Sequence, residues 1–237
     1  MDTPIPLYVI NLAPDIERWD SVLDESKMLG FTTHRVDAVN YHDLTLQAYV
    51  SPGVHAVWLS HLKAMQIFLN SDAEFAIIAE DDFHVVDKKK ITSKILDLNA
   101  FSWDLVQLGF LQPGIDTKVK VLIANLDGVV FKVFGLLSKN FLFSKLGFAS
   151  RMRVKQSLHT PAGFVIDDCQ PGAHFYMVKR DFCKVILALN SPQFLSIDDF
   201  YTALSKMRTF KMLRAKRSLV IQKPFTAWSG SRFKRVL

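Results

Sequence analysis

Residues 75–85 read FAIIAEDDFHV, and in this stretch five largely apolar residues run directly into three consecutive carboxylates. A short continuous apolar run of this kind is typical of a strand that is buried on both faces of a sheet. Because side chains alternate along an extended segment, we expect Glu80 and Asp82 on one side and Asp81 on the other. The stretch therefore predicts a central strand that ends in an acidic cluster.

Strand and helix patterns alternate on both sides of this stretch. Segments rich in β-branched and aromatic residues predict strands at 7–12, 33–39, 103–109, 174–178 and 219–222. Helical patterns occur at 14–30, 54–70 and 87–98, and further helices are expected from about Asp181 and Asp198. The alternation predicts an α/β domain with a largely parallel central sheet flanked by helices. In such sheets ligands bind beyond the carboxyl ends of the strands, which is where the three carboxylates lie.

Length and composition favour one globular domain. The chain has 237 residues, of which 49% are hydrophobic, and this is enough for a large core. No uncharged apolar run reaches the roughly 18 residues of a membrane span, and the N-terminal segment lacks the basic region of a signal peptide. Cys169 and Cys183 fit no metal-binding spacing, so we expect reduced thiols in the core and a cytoplasmic location.

The charge of the chain is distributed unevenly. Residues 1–117 contain 8 Lys and Arg against 17 Asp and Glu, whereas residues 118–237 contain 21 against 6. The first half is therefore suited to a cation, and the second half to an anion or an anionic surface.

Two interpretations of the acidic cluster follow from the pattern alone. Hard divalent cations prefer carboxylate oxygens, and Mg²⁺ commonly takes one or two of them together with substrate phosphates. The alternative is a solvated turn with a helix N-cap. The buried strand that precedes the acids places them at the ligand-binding end of the sheet, and this favours a metal–phosphate site.

Several segments resemble glycosyltransferase family 25 in order and spacing. The N-terminal ones are YVINL followed by Arg18, HRVDAVN, GVHAVWLSHLKAM and FAIIAEDD. Looser matches are DLVQLG, GAHFYMVKRDFCKVIL, SIDDF and IQKPFTAWSGSRF, and residues 111–170 are unaligned. The chain departs from the family pattern at Ala56-Val57, where the family often has Ala-Cys, and at Lys179 and Phe182, where it has Ser and Gly. The family includes bacterial lipopolysaccharide-modifying transferases and collagen galactosyltransferase domains.

The resemblance implies a GT-A fold and a metal-dependent inverting hexosyltransferase. The donor would be a UDP-sugar, with galactose as the first expectation and glucose as the second, and the cofactor would be Mn²⁺ or Mg²⁺. The acceptor would be a hydroxyl of a glycan, glycolipid or protein. The single domain would divide into a nucleotide-sugar and metal half at 1–110, a variable acceptor-side insertion at 111–170, and an acceptor and catalytic half with a basic tail at 171–237.

The resemblance also assigns roles to particular residues. Asp82 would be the main metal ligand with Glu80, and Asp198, with its neighbour Asp199, would supply the catalytic base. Several of these residues also have a purely structural interpretation. Arg18 could be an exposed arginine on a helix, and His61 could be a buried core histidine. The acids at 198–199 could be stabilised by the dipole at a helix N-terminus. Residues expected at the nucleotide or substrate are Asn11, Leu12, Arg18, Ser60, His61, Glu80, Asp81, Tyr176 and Gln222, and the tail adds Ser229 and Ser231.

The basic segment 118–157 leaves two interpretations open. Its eight Lys and Arg are interleaved with phenylalanines, a pattern that fits contact with an anionic membrane surface. The pattern equally fits a folded acceptor subdomain whose phenylalanines form a core. A nucleic-acid-binding protein is a rival class because the pI is about 9.3, but no recognised motif supports it and the acidic half argues against it. A degenerate transferase that binds nucleotide without turnover is a further alternative.

Overall fold

The computed structural model describes residues 4–44, 50–111, 160–189, 193 and 195–223. These residues form nine strands and five α-helices, together with short 3₁₀ turns at Tyr41–Asp43 and Leu98–Ala100. The strands are β1 (Pro6–Asn11), β2 (Thr32–Asp37), β3 (Phe75–Glu80), β4 (Phe83–Val85), β5 (Leu105–Gly109), β6 (Phe164–Ile166), β7 (Phe175–Lys179), β8 (Met212–Ala215) and β9 (Val220–Gln222). The helices are α1 (Ile16–Lys27), α2 (Pro52–Leu69), α3 (Lys88–Asp97), α4 (Arg180–Ala188) and α5 (Ile197–Met207).

The strands form one sheet in the order β2-β1-β3-β7-β5-β8-β6, with β9 joining β5 and β4 pairing with β9. β1 is parallel to both β2 and β3, and β5 is parallel to β8 and β9. β7 is antiparallel to β3 and β5, as are β6 to β8 and β4 to β9. The α/β prediction is confirmed, and the fold is compatible with a Rossmann-like architecture. The expectation of a largely parallel sheet is wrong because the sheet is mixed; a strand buried on both faces looks the same in sequence whichever way it runs.

Helices cover both faces of the sheet and enclose two cores. Ile77 points into the core that α1 and α3 cover, whereas Ile78 points into the core covered by α2, α4 and α5. Residues 76–79 of β3 are completely buried, as the apolar run predicts. Burial of each isoleucine side chain contributes roughly 1.5–3 kcal/mol, so β3 anchors the centre of the sheet.

Side-chain caps mark where three of the helices begin. The hydroxyl of Ser51 accepts a hydrogen bond from the Val54 amide at the start of α2, and Asp87 accepts one from Lys90 at the start of α3. Ser196 caps α5, which brings Asp198 into its first turn. Caps of this kind satisfy amide groups that have no partner inside the helix, so they fix the first residue of the helix.

Several predictions about the rest of the chain have definite outcomes. Cys169 and Cys183 are free and buried, as expected. β6 belongs to the sheet, so part of the expected insertion at 111–170 is a structural strand. The basic segment 118–157 lies outside the described residues. None of the described helices combines the length and apolar character required to cross a bilayer.

Candidate nucleotide and cation site

The three consecutive carboxylates lie where β3 ends and turns into β4. Glu80 is the last residue of β3 and pairs with Ile10 near the end of β1, so both parallel strands terminate at this point. The first turn of α5 and the last residue of β9 arrive at the same place, bringing Asp198 and Gln222. The site therefore combines residues from both ends of the described chain.

Asp81 points toward α1 and is fully engaged. Its carboxylate accepts a hydrogen bond from Nδ2 of Asn11 at 2.6 Å and forms an ion pair with Nη1 of Arg18 at 2.5 Å. The Arg18 side chain is only 11% exposed. Asn11, Arg18 and Asp81 were expected to contact the nucleotide; in the structure their side chains bind one another and tie α1 to the end of β3.

Glu80 and Asp82 lie together on the opposite side, as the alternation of the strand predicts. Nε2 of Gln222 lies 3.4 Å from an oxygen of each carboxylate, whereas Oδ1 of Asp82 is buried and finds no hydrogen-bond partner in the part of the chain that the structure describes. Burial, together with the charges of Glu80 and Asp81, raises the pKa of Asp82 to about 8. Burial and the charge of Asp81 likewise raise the pKa of Glu80 to about 7.

This donor set fits a cation that is shared with a ligand. In the described part of the chain no group of three or more Asp, Glu, His or Cys side chains is arranged to hold a metal ion. Mg²⁺ usually takes only one or two carboxylates and completes its shell with phosphate oxygens and water. Glu80 and Asp82, with the unpartnered oxygen of Asp82, supply two carboxylates of that kind.

His61 lies in the interior beside Glu80. Its Nδ1 is 2.8 Å from the hydroxyl of Tyr176, and its Nε2 is 3.6 Å from Oε1 of Glu80. Burial lowers the pKa of His61 to about 4, although the nearby charge of Asp198 opposes this. Tyr176 was expected at the nucleotide, but its side chain is completely buried, so it supports His61 and has no surface to offer a ligand.

A cavity of about 400 Å³ opens next to Glu80. This volume is in the range of small-molecule sites. Ser60 fixes one wall, because its hydroxyl donates to the Ala56 carbonyl at 2.7 Å and accepts from the Val39 amide at 2.8 Å. The lining is mostly apolar and consists of Ile10, Leu12, Pro14, Ala38, Val39, Asn40, Tyr41, His42, Gly53, Ala56, Val57, Ser60, His61 and Glu80.

The two acids at the start of α5 have different environments. Asp198 accepts a hydrogen bond from the Ala173 amide at 2.6 Å. Burial and the charge of Glu80 raise the pKa of Asp198 to about 6, while His61 lowers it. Asp199 instead accepts a hydrogen bond from the Ser196 hydroxyl at 2.8 Å within the helix cap. The structure therefore separates the predicted pair: Asp198 belongs to the site, and Asp199 belongs to the helix start.

Some contributors to the site were not predicted. Tyr201 donates a hydrogen bond to Tyr176, and it lies three residues after Asp198, a spacing that places both on one side of α5. Residues 40–42 line the cavity without a chemical motif that would reveal them. Ser229 and Ser231 of the predicted tail lie outside the described residues. The amide of Lys223, just before them, donates to the carbonyl of Asp82 at 2.6 Å.

Comparison with known proteins adds no assignment, because no protein-family model and no curated protein matches this chain. The resemblance to glycosyltransferase family 25 thus stays a prediction that rests on the segments quoted above.

Proposed function

We propose that this protein is a metal-dependent inverting glycosyltransferase of the GT-A type that uses a UDP-sugar. One observation carries the proposal: Glu80 lines the 400 Å³ cavity, and the buried or half-buried carboxylates of Asp82 and Asp198 are close enough for their charges to interact with that of Glu80. We call these three residues the acidic edge. The guanidinium of Arg18 pairs with Asp81, and its charge only partly offsets the raised pKa values of Glu80 and Asp82.

The proposed donor explains both the charge and the cavity. The apolar walls suit a base and a ribose, whereas an acidic edge by itself repels a diphosphate. Glu80 and Asp82 would hold a divalent cation, which would offset that repulsion and stabilise the charge that develops on the departing UDP. Gln222 spans the two carboxylates and holds them on the same side.

Asp198 is the proposed general base. In an inverting transfer the acceptor hydroxyl oxygen forms a bond to the anomeric carbon while the bond from that carbon to the UDP oxygen breaks. UDP leaves with the electron pair, and the hydroxyl proton passes to the carboxylate of Asp198. Because the pKa of Asp198 is about 6, the group is largely ionised at pH 7 and is basic enough to accept the proton.

Galactose is the first candidate sugar and glucose the second, on the basis of the resemblance. The acceptor would be a glycan, glycolipid or protein hydroxyl. A contact between segment 118–157 and an anionic membrane surface would bring the enzyme to a lipid-linked acceptor.

The test is UDP release from a panel of nucleotide sugars, with Mn²⁺ or with EDTA. We expect release from one donor in Mn²⁺, none in EDTA, and none from an Asp82→Asn variant. If no sugar is consumed, the melting temperature with UDP and Mn²⁺ decides between two outcomes. A metal-dependent rise in melting temperature supports nucleotide binding, either by an enzyme whose acceptor is missing or by a degenerate enzyme. If no sugar is consumed and the melting temperature does not rise, the proposal is contradicted.

A further inference from the structure

A line of hydrogen-bonding side chains behind the acidic edge has no role in the proposed reaction. The hydroxyl of Tyr201 lies 3.2 Å from that of Tyr176, which lies 2.8 Å from Nδ1 of His61. All three side chains are buried within the core, with at most 2% exposure. At the other end of the line, Nε2 of His61 has no hydrogen-bond partner among the described residues and lies 3.6 Å from Oε1 of Glu80.

Counting the protons in this line determines which nitrogen of His61 carries one. Tyr201 donates to the oxygen of Tyr176, so the single proton of the Tyr176 hydroxyl is directed at Nδ1 of His61. Nδ1 then accepts, and it carries no proton. The ring is therefore neutral, and its one N–H is at Nε2, facing Glu80.

The reverse direction leaves two groups unsatisfied. If Nδ1 donated to Tyr176 and Tyr176 donated to Tyr201, the proton of Tyr201 would have no acceptor among the described residues. The lone pair at Nε2 would also face the carboxylate of Glu80 at 3.6 Å. A buried donor without an acceptor costs about 1–3 kcal/mol. In the first direction the proton of Tyr201 has an acceptor, and the N–H that remains at Nε2 faces the carboxylate of Glu80 at 3.6 Å, so the first direction is favoured.

We propose that Tyr201 and Tyr176 hold His61 as its Nε2–H tautomer, and that this N–H positions the carboxylate of Glu80. His61 then faces one oxygen of Glu80, while Gln222 faces the other at 3.4 Å. The two donors orient Glu80 toward Asp82, although neither tyrosine touches a ligand. The tautomer itself follows from the hydrogen bonds, whereas its effect on ligand binding rests on the proposed function.

The tautomer can be measured directly in the metal-free and nucleotide-free protein. Long-range ¹H–¹⁵N correlation spectra of protein labelled at histidine distinguish a protonated from an unprotonated ring nitrogen, and a His61→Gln variant assigns the signals. We expect His61 to show a protonated Nε2 and an unprotonated Nδ1. A wild-type signal from the opposite tautomer, or from a charged ring, overturns the inference.

Tyr176→Phe removes the donor to Nδ1 and should shift His61 toward the Nδ1–H tautomer. Tyr8→Phe is the matched control, because Tyr8 is 3% exposed in the same core but stacks on His34, away from the line. Should Tyr176→Phe be too unstable to study, Tyr201→Phe leaves the hydroxyl of Tyr176 free to reverse, and a mixture of tautomers is expected. An unchanged His61 signal in whichever of these variants folds overturns the inference.

A second readout tests the positioning of Glu80. Free Mn²⁺ measured by electron paramagnetic resonance should show about tenfold weaker binding in Tyr176→Phe than in Tyr8→Phe, a typical effect of losing a partner behind a metal ligand. Equal affinities overturn the positioning role. If wild type fails to bind Mn²⁺ and UDP but shows the Nε2–H tautomer, the proposed function fails while the tautomer assignment stands.

Discussion

Two groups of buried carboxylates in this protein behave in opposite ways. Asp168 forms ion pairs with Lys206 at 2.6 Å and Arg214 at 2.7 Å. Burial raises its pKa, but the two cations outweigh burial and the pKa is lowered. Glu25 is similar, because the Val85 amide, His84 and Lys223 surround its carboxylate and the net effect is a lowered pKa.

The acidic edge is the contrasting case, because burial and mutual repulsion outweigh the charge of Arg18 at Glu80 and Asp82. The pKa values of Glu80, Asp82 and Asp198 are all raised. Carboxylates whose pKa is lowered stabilise the fold in their ionised form, whereas carboxylates whose pKa is raised destabilise it when they ionise. Perturbed groups that meet beside a cavity are typical of functional sites.

The largest expected effect comes from removing the charge of Asp82. Asp82→Asn should lower UDP release by about a thousandfold, because the stabilisation of charge on the departing UDP is lost. UDP release in Mn²⁺ is the measurement, with Asp168→Asn as the control whose activity per folded molecule should stay near wild type. Comparable losses in the two variants would show that the two groups of carboxylates are not functionally distinct.

Asp198 and Asp199 allow a residue of the proposed site to be compared with a residue of the helix cap in the same turn of α5. Asp198→Asn should lower turnover by about 10²- to 10⁴-fold because it removes the proposed general base, and UDP binding should persist. Asp199→Asn should change turnover less than about twofold, since its side chain serves the helix cap. Turnover and UDP affinity are measured on both variants; an inactive Asp199→Asn with a normal Asp198→Asn would reverse the assignment.

Asp168→Asn should have its effect on stability instead. The substitution leaves Lys206 and Arg214 beside a half-buried position without their partner, and we expect a loss of about 2 kcal/mol in the free energy of unfolding. Urea denaturation measures it. Asp82→Asn in the same assay should be neutral or stabilising, and a larger loss for Asp82→Asn would contradict the contrast.

The smallest expected effect is a pH dependence of stability. The folded pKa values of Glu80 and Asp82 are about 7 and about 8, well above their ordinary values of 4.5 and 3.8. These two carboxyl groups therefore bind more protons in the folded protein than in the unfolded one between about pH 4 and pH 8, and their contribution to stability should fall as the pH rises through that window. Melting temperatures at pH 6 and pH 8 without metal should differ by a few degrees.

Two variants serve as controls for this pH dependence. The melting temperature of Asp82→Asn should change less between pH 6 and pH 8, because one of the carboxyl groups with a raised pKa is gone. Asp168→Asn should keep the pH dependence of the wild type. A metal-free protein that becomes more stable from pH 6 to pH 8 would show that the acidic edge is less strained than its burial indicates.

The sequence predicted the elements whose own residues determine them. The apolar run at 75–79 gave a strand buried on both faces, and the helix patterns at 14–30 and 87–98 correspond to α1 and α3. The sequence did not predict β4, β6 and β8. Each has only three or four residues, and its extended conformation depends on pairing with a neighbouring strand. The direction of β7 was missed for the same reason, since pairing lies outside the local pattern.

The sequence predicted which carboxylates form the site, but it did not predict the residues that pack around them. Alternation along β3 placed Glu80 and Asp82 together. The pairing of Asp81 with Arg18 and the burial of Tyr176 depend on how α1 and β7 pack, so neither is visible in the local sequence. Asp199 shows why the sequence alone does not separate the two roles. An aspartate in the first turn of a helix can serve the helix cap or act in catalysis, and only the contact with Ser196 identifies the cap.

The pairing of β4 with β9 has a consequence for the order in which the protein is made. Gln222 is 142 residues away from Glu80 in the chain, so a ribosome synthesises it long after the carboxylates. At about 5–20 residues per second the delay is on the order of 10 s or more. The nascent protein can pack β1, β2 and β3 in that interval, but Gln222 reaches Glu80 and Asp82 only when the last described strand is added.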